Sequence, residues 1–541
     1  MPVERPGAGD MPPYGGATIF ERGRRWSALD PDWTALIDAP DGRHSIEKLL
    51  QDAEALTAAF QHAGLRPGDV ISFQTPNWHE AAVIDLAAAA GGFVINPIVP
   101  IYRDAEVGFM LRDSRSKLFF FAEHFRGYDY AAMVERLLPD LPDLVAAIPV
   151  RPDSAQGSDY QAWLNRGRLL GPDLPTVDAN AVKLLLYTSG TTGRPKAVLH
   201  SHNSLARAMG FSSDWWKVAP REKILMPSPV THISGYANGL ELPFFAGTCS
   251  ILMENWDAAQ AVSLIEEHGV SGTIAATPFL RELALAAEAQ DRSLPTLRFF
   301  ACGGAAVPPE TIRHANAQFG RTVAFRAYGS SEAPLVTPGI GDSDPGEVAA
   351  SSDGRVADYE VRTVDGSGNV LPPGEEGELL VRGPALFLGY ANPEDNADAF
   401  DAEGFFRTGD VGIVTADGIL TITGRKKDLI IRGGENISAK EIEDALHRHP
   451  AIREAAVVAM PHERLGEGIC AVAIPEDQPG ATLAKLTAFL AEQGLARQKC
   501  PERLVWVRSL PVTPSGKVRK DLLRQMAAQE HGFADIAYPS S

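Results

Sequence analysis

Apolar positions recur along this chain with two periods, and the two alternate. Ile46, Leu49, Leu50, Ala53 and Leu56 fall on one face of an amphipathic helix predicted from Ile46 to Ala63. Val70-Ile-Ser-Phe-Gln74 follows as a short strand. The most apolar stretch, Ala81 to Val99, is interrupted by Asp85, Gly91, Gly92, Asn96 and Pro97, which suits a helix feeding a strand better than a membrane span. Ala258 to His268 predicts a helix, and Val270 to Ala276, Leu297 to Ala301 and Val323 to Tyr328 predict strands. Helix and strand in alternation imply an α/β architecture with largely parallel sheets.

The texture changes near Gly354. From Arg355 to Arg382, β-branched and polar residues alternate between Gly/Pro turns, as in Glu360-Val-Arg-Thr-Val and Gly377-Glu-Leu-Leu-Val-Arg. That predicts a small antiparallel β unit. A second boundary falls at the charged connector Gly424-Arg-Lys-Lys-Asp428, and the chain divides there into residues 1–424 and 425–541. The tail reads as a βαββα unit of α+β type, with roughly the size of a small domain. Ser438 and Glu441 have capping-box spacing for a helix from Ala439 to His447.

With 541 residues the chain exceeds one ordinary core. Its formal charge of −19 argues against nucleic acid as a partner but permits a local basic pocket for a nucleotide. Cys249, Cys302, Cys470 and Cys500 are scattered and form no metal-ligand spacing, so they read as buried thiols of a reducing compartment. The N-terminus carries no apolar signal-peptide core, and the cytoplasm is the expected location. Nothing in the sequence fixes the quaternary state, and a homodimer is open.

The chemistry concentrates in Tyr187-Thr-Ser-Gly-Thr-Thr-Gly-Arg-Pro-Lys196, which follows the apolar run Val182-Lys-Leu-Leu-Leu186. Glycines let a backbone approach phosphate oxygens, hydroxyls donate to them, and Lys196 supplies charge. The spacing is not that of a Walker loop. A Ser/Thr/Gly cluster on its own is ordinarily a linker. Here it is accompanied by Pro229-Val-Thr-His-Ile-Ser-Gly235, Cys302-Gly-Gly-Ala-Ala-Val-Pro308, Arg326-Ala-Tyr-Gly-Ser-Ser-Glu332, Phe406-Arg-Thr-Gly-Asp410, the segment Gly424 to Ile437, and Pro511-Val-Thr-Pro-Ser-Gly-Lys-Val-Arg-Lys520.

In this order the segments closely resemble the adenylate-forming superfamily of acyl-CoA synthetases, adenylation domains and beetle luciferases, from about Ile46 to Leu523. The resemblance implies a large N-terminal AMP- and acyl-binding domain of stacked α/β sheets and a small mobile C-terminal domain. It implies two steps: a carboxylate attacks the α-phosphorus of ATP, and a thiol, usually coenzyme A, then displaces AMP. Lys517 resembles the lysine that reaches the carboxylate and α-phosphate in the first step, where a compact charge on a long stem is apt. Glu332 resembles the carboxylate that holds Mg²⁺, with Ser331 beside it where the family often has Thr. Thr188, Ser189, Gly190, Thr191, Thr192, Gly193 and Lys196 resemble the phosphate loop, although Ala197 stands where a glycine is usual. Asp410 and Arg425 resemble the ribose-binding pair. Tyr328 is expected against adenine, with Gly304, Ala305 and Ala306 on its other side. Lys427 falls at the family's hinge, and Gly433 and Gly434 fall where a turn lines the pantetheine tunnel.

His232 stands where peptide-synthetase adenylation domains place an aspartate that pairs with the substrate ammonium, so an amino acid substrate is not expected. The acyl pocket is expected from His232, Gly235, Tyr236, Gly303, Tyr328, Gly329, Ala333 and Pro334, with no charged partner for a second polar group. Asn77-Trp-His-Glu and Asn96 to Arg103 look similar to cyclohexanecarboxylate-CoA ligases. These features imply an ATP-dependent acid:CoA ligase for an alicyclic, aryl or medium-chain acid. An adenylate-forming enzyme without a CoA step is the alternative.

Overall fold

A computed structural model describes residues 15–38, 42–153, 159–188, 194–304, 307–321, 323–341, 344–432, 435–513, 517–529 and 532–538. Among these, two seven-stranded sheets form the body. One runs Ala324–Arg326, Phe299–Cys302, Gly272–Ala275, Lys223–Met226, Cys249–Leu252, Thr34–Asp38 and Gly42–Ser45, parallel except for the last pair. The other runs Gly389–Tyr390, Lys196–Ser201, Val182–Thr188, Val94–Pro97, Val70–Gln74, Leu118–Ala122 and Ala146–Val150. Its first three strands pair antiparallel and the rest are parallel.

The helix Ile46–His62 presents the predicted apolar face, and its N-cap Ser45 accepts from the Lys48 amide. The helix His79–Gly91 is buried on nearly every side, which is why Ala81 to Ala90 carries no amphipathic period. It ends at Gly92 in the left-handed region (φ +71°) and feeds the strand Val94–Pro97. The helix Ala258–His268 has the predicted bounds. The strands predicted after it are shorter than read, at Gly272–Ala275, Phe299–Cys302 and Ala324–Arg326.

The antiparallel unit is a four-stranded sheet, Glu360–Val364, Glu376–Arg382, Phe406–Val414 and Leu420–Arg425. Gly424 and Arg425, read as connector, are the end of its last strand, and the connector shrinks to a single turn at Lys426–Asp428. From Ile430 onward the chain packs about cores of its own. The tail is richer than βαββα: Ile430–Arg432, Glu435–Ile437, Ile452–His462, Gly466–Pro475 and Arg503–Trp506 form one sheet, with helices Ala439–Leu446, Leu483–Glu492 and Lys520–Ala527. Half of the expected capping box is present. Ser438 accepts from the Glu441 amide, but the Glu441 carboxylate turns outward to Lys499 at 2.7 Å. No helix of the described residues is long and apolar enough to cross a membrane.

One feature of the body breaks its apolar pattern. Opposite His200 and Ser201 the strand Val182–Thr188 carries an extra residue, Lys183, which is a β-bulge. The bulge turns Lys183 into the core, where only 1% of its side chain is exposed. Its ammonium lies 2.8 Å from Asp85, contacts Glu241 and donates to the Tyr236 hydroxyl at 2.5 Å. Tyr236 in turn donates to Asp85. Burial raises the Glu241 carboxyl to about 7, opposed by Lys183 and reinforced by Asp85. Tyr236 and Glu241 belong to a π-helical turn, Tyr236–Glu241, reached from His232 through the short helical turn Ile233–Gly235.

Candidate active site

The body and, through Lys517, the tail line one cavity of about 530 Å³. Lys517 enters it from the tail, His232 from the end of the Lys223–Met226 strand, and Gly303, Gly304, Tyr328, Gly329, Ser331 and Pro334 from the ends of neighbouring strands. Strand ends of an α/β sheet are where side chains from separate elements can converge. Gly303 and Gly329 are required by the backbone as well as by any ligand. A Cβ on Gly303 would lie 2.4 Å from the Ala327 carbonyl oxygen, and one on Gly329 would lie 2.4 Å from the Leu335 amide.

Asp410 and Arg425 face each other across adjacent strands and form an ion pair at 2.9 Å. The Asp410 charge raises the Arg425 guanidinium further. Tyr328 donates its hydroxyl to the other Asp410 oxygen at 2.7 Å. The Tyr328 amide donates to the Thr337 hydroxyl at 2.8 Å, and Thr337 donates to the Asp353 carbonyl; the Asp353 carboxylate holds buried Arg326 in a pair at 2.7 Å and accepts from the Ile422 amide of the antiparallel sheet.

Glu332 accepts from the Tyr390 hydroxyl at 2.9 Å, and its second carboxylate oxygen bonds none of the described residues. The Tyr390 ring lies under the Lys196 ammonium at 4.8 Å, and Asp395 stands 3.5 Å from the same ammonium. Tyr390 pairs with Val198 at the sheet edge, so one tyrosine touches Lys196 through its ring and Glu332 through its hydroxyl. Thr188 ends its strand at the mouth of that loop, paired with Lys196. Ala197 pairs with Tyr187 and packs in a small core beside it, so its methyl is absorbed by the body. Ser189, Gly190, Thr191, Thr192, Gly193, Ala305, Ala306, Gly433 and Gly434 lie outside the described residues.

The Thr513 amide donates to the Lys517 carbonyl at 2.6 Å, and the Lys517 amide donates to the Thr513 hydroxyl at 3.0 Å. The Lys517 ammonium has no ion-pair partner among the described residues. Burial and the Arg425 charge lower it to about 8, opposed by Asp410 and Glu332. Burial, and then Lys517, lower His232 to about 4, so its imidazole is neutral at pH 7. A buried lysine without a counter-ion, beside an arginine, is a place for an anion. The protonated form of Lys517 is lost as pH rises through about 8. The kcat/KM for the first half-reaction should fall over that range, and Lys517→Arg should carry the alkaline limb upward. An identical limb in both enzymes would count against Lys517.

Part of the expected acyl pocket is displaced. Gly235, Tyr236 and Ala333 do not line the cavity. Gly235 is pressed against the Pro229 backbone, Tyr236 belongs to the Lys183 cluster, and Ala333 is core. Ile233, Ala237, Asn238, Met209 and Leu335 take their places. The lining is also not free of charge, since it includes Arg103, Arg126 and Glu254. Each is already engaged: Arg103 with the Pro100 and Tyr102 carbonyls, Arg126 with Asn255, and Glu254 with the Trp78 indole. Lys427 lies on the turn Lys426–Asp428 with its side chain exposed, and burial of its head group followed by the Arg425 charge lowers its ammonium. The four cysteines are buried, and burial lifts Cys249 and Cys302 to about 12, so neither is a nucleophile.

The chain resembles known proteins over most of its length. Residues 23–391 match the AMP-binding enzyme family, and residues 441–517 match the AMP-binding enzyme C-terminal domain. The chain is 34% identical over 519 residues to the medium-chain fatty-acid–CoA ligase of Escherichia coli strain K12, covering 95% of this chain and 91% of that protein. It is also 34% identical over 519 residues to a salicyl-AMP ligase / salicyl-S-ArCP synthetase of Mycobacterium tuberculosis, covering 94% and 90%. The crystal structure of ATP-bound MatB from Rhodopseudomonas palustris superimposes with a TM-score of 0.84 at 27% identity, over 94% of this chain and 98% of that one.

Proposed function

Because this chain belongs to the AMP-binding enzyme family, the adenylate-forming superfamily, we propose that it is an ATP-dependent carboxylic acid:CoA ligase acting on an alicyclic, aryl or medium-chain acid. The observation that carries this reading is the meeting of Lys517 and His232 in one cavity with Tyr328, beside the Asp410–Arg425 pair. Asp410, Arg425 and Tyr328 would hold the nucleotide. Lys517 would hold the acid carboxylate and the α-phosphate together, offsetting the repulsion between two anions. His232, as a neutral imidazole, would border the carboxylate without adding charge. Glu332 suits Mg²⁺, which typically takes few protein carboxylates and completes its shell with phosphate and water. Its free oxygen and the Tyr390 bond that aims it fit that role. Bound there, the ion would neutralise the triphosphate.

The division of the chain at Gly424, with Lys427 as the hinge of a mobile tail, is part of the proposal. Separate cores from Ile430 onward and the short turn Lys426–Asp428 support it. Polar contacts of modest strength join tail and body here, as between Arg281 and Glu476 at 3.5 Å.

The coenzyme A step is supported by similarity to the fatty-acid–CoA ligase. Similarity of the same degree to the salicyl-AMP ligase favours a second reading, transfer of the acyl-adenylate to another acceptor. Pyrophosphate release with and without CoA, with mass detection of the thioester, separates the two. A ring acid such as cyclohexanecarboxylate or benzoate should exceed acetate and phenylalanine in kcat/KM. Each methylene missing from the cavity forfeits about 0.8 kcal/mol, and an ammonium would find in the lining only the Glu254 carboxylate, which already accepts from the Trp78 indole and the Asn255 amide. Acetate or an α-amino acid emerging as best substrate would overturn this reading of the pocket.

A further inference from the structure

The strand Lys196–Ser201 carries a second residue of interest beyond its lysine. Side chains on a strand alternate between faces, so Lys196 and His200, four residues apart, stand on the same one. His200 is fully buried and does not line the cavity. Its Nε2 lies 2.7 Å from the Ser331 carbonyl oxygen, and its Nδ1 lies 3.0 Å from the Ser204 hydroxyl. A carbonyl oxygen can only accept, so Nε2 carries a proton and donates it there. That carbonyl belongs to the peptide that leads into Glu332. The next carbonyl, of Glu332 itself, accepts from the Phe387 amide at 2.8 Å, and the Leu388 amide donates to the Leu199 carbonyl, beside His200, at 2.7 Å. At the far end of the side chain the Tyr390 hydroxyl holds Glu332 at 2.9 Å. Glu332 is therefore gripped at both flanking peptides and at its carboxylate. Three consecutive residues of one strand support these holds: Val198 by pairing with Tyr390, Leu199 through its carbonyl and His200 through its ring.

Resting on the reading of Glu332 as the carboxylate for Mg²⁺, we infer that His200 is a positioning residue for that ion. A carboxylate that must meet a metal with one oxygen binds it better when its backbone and its other oxygen are fixed beforehand, because ordering them on binding costs conformational entropy. His200 fixes the peptide in front of Glu332, the Phe387 amide fixes the one behind, and Tyr390 turns the carboxylate. The same strand begins with Lys196, so the cation and the anion that a metal–triphosphate would meet share one support. His200 stands outside the cavity and acts through Ser331 and Glu332 alone.

The test is calorimetric binding of α,β-methylene-ATP over a range of Mg²⁺ concentrations, beside binding of AMP without metal, in the full-length enzyme. The amide nitrogen of His200→Gln reaches about as far as Nε2 and can still donate to Ser331, whereas His200→Asn and His200→Leu remove that donor. Either of the last two, whichever folds, should weaken the metal–nucleotide complex about tenfold or more and need more Mg²⁺ for half-maximal pyrophosphate release. AMP, assigned above to Asp410, Arg425 and Tyr328, should bind them as it binds the unaltered enzyme. His200→Gln should recover most of the loss. Equal weakening of AMP and the metal–nucleotide complex would show a residue that merely supports the fold, and would overturn the inference. So would a metal response that Asn and Leu leave unchanged, or one that Gln fails to recover. Glu332→Gln, measured in parallel, separates the two readings: if it leaves the Mg²⁺ dependence intact, the metal assignment of Glu332 falls and takes this inference with it.

Discussion

Lys517→Ala should lose acyl-adenylate formation by roughly 10²–10³-fold, the usual cost of removing one preorganised charge or donor from a transition state. Consumption of preformed acyl-adenylate by CoA should be largely retained. The asymmetry follows from where the residue sits. Lys517 belongs to the tail, yet its ammonium is buried in a cavity built mostly by the body. Its proposed task there is to neutralise two anions before they react, and once pyrophosphate has left that task would be finished. A loss confined to binding would raise KM and spare kcat, whereas a group that acts on the reacting phosphate lowers kcat. Single-turnover measurements of both half-reactions decide the matter. Equal losses in the two would show that Lys517 supports the tail's fold and not the chemistry.

Lys183→Met should destabilise the body by about 3–5 kcal/mol, the cost of removing one partner from a buried ionic group. Asp85 and Glu241, 2% and 1% exposed, would be left together with no cation between them. The deficit should depend on pH in a definite sense. In the folded protein the Glu241 carboxyl is raised to about 7, above its ordinary 4.5, so the folded state binds more protons than the unfolded state between those values. Its contribution to stability is therefore fully present below about pH 4.5 and is lost as pH rises toward 7. Without Lys183 to oppose burial, that window should extend further upward. The variant should unfold most easily at alkaline pH and regain part of the loss toward pH 5. Urea midpoints of the first unfolding transition across pH would show it. A midpoint shift that is small or flat with pH would mean that the cluster tolerates the loss.

Much of this molecule was legible in its sequence for a plain reason. Where one face of an element is buried, the periodicity is written in the side chains, so Ile46–His62 and Ala258–His268 could be placed closely. The motif residues Lys517, His232, Gly304, Tyr328 and Ser331 do line one cavity, and Asp410 and Arg425 pair beside it. The misses share a cause. Tyr236 looked like pocket and Asp85 like a helix interruption, because neither shows its partner until the fold brings Lys183 between them. A signal was present: a lysine in one apolar run, an aspartate in another and a glutamate before Leu242 each break their pattern once. Buried charges demand partners, and three such breaks could have been matched to one another. Tyr390 and Asn238 carried no such signal, since a tyrosine or an asparagine is unremarkable in either environment.

The bulge at Lys183 also makes deletion a different experiment from substitution. It holds one residue of slack in the ladder between Val182–Thr188 and Lys196–Ser201. Removing Lys183 altogether would draw that slack out, and Val182 could then meet Ser201 in an unbroken ladder. The phosphate-loop side of the hairpin would keep its register. The burden would fall on the segment entering the strand, which would have to span the same distance with one residue fewer. A substituted protein would carry only the charge defect buried in its core, whereas a shortened one would carry that same defect, with Asp85 and Glu241 again left without their cation, and a length defect at the entrance to the strand as well.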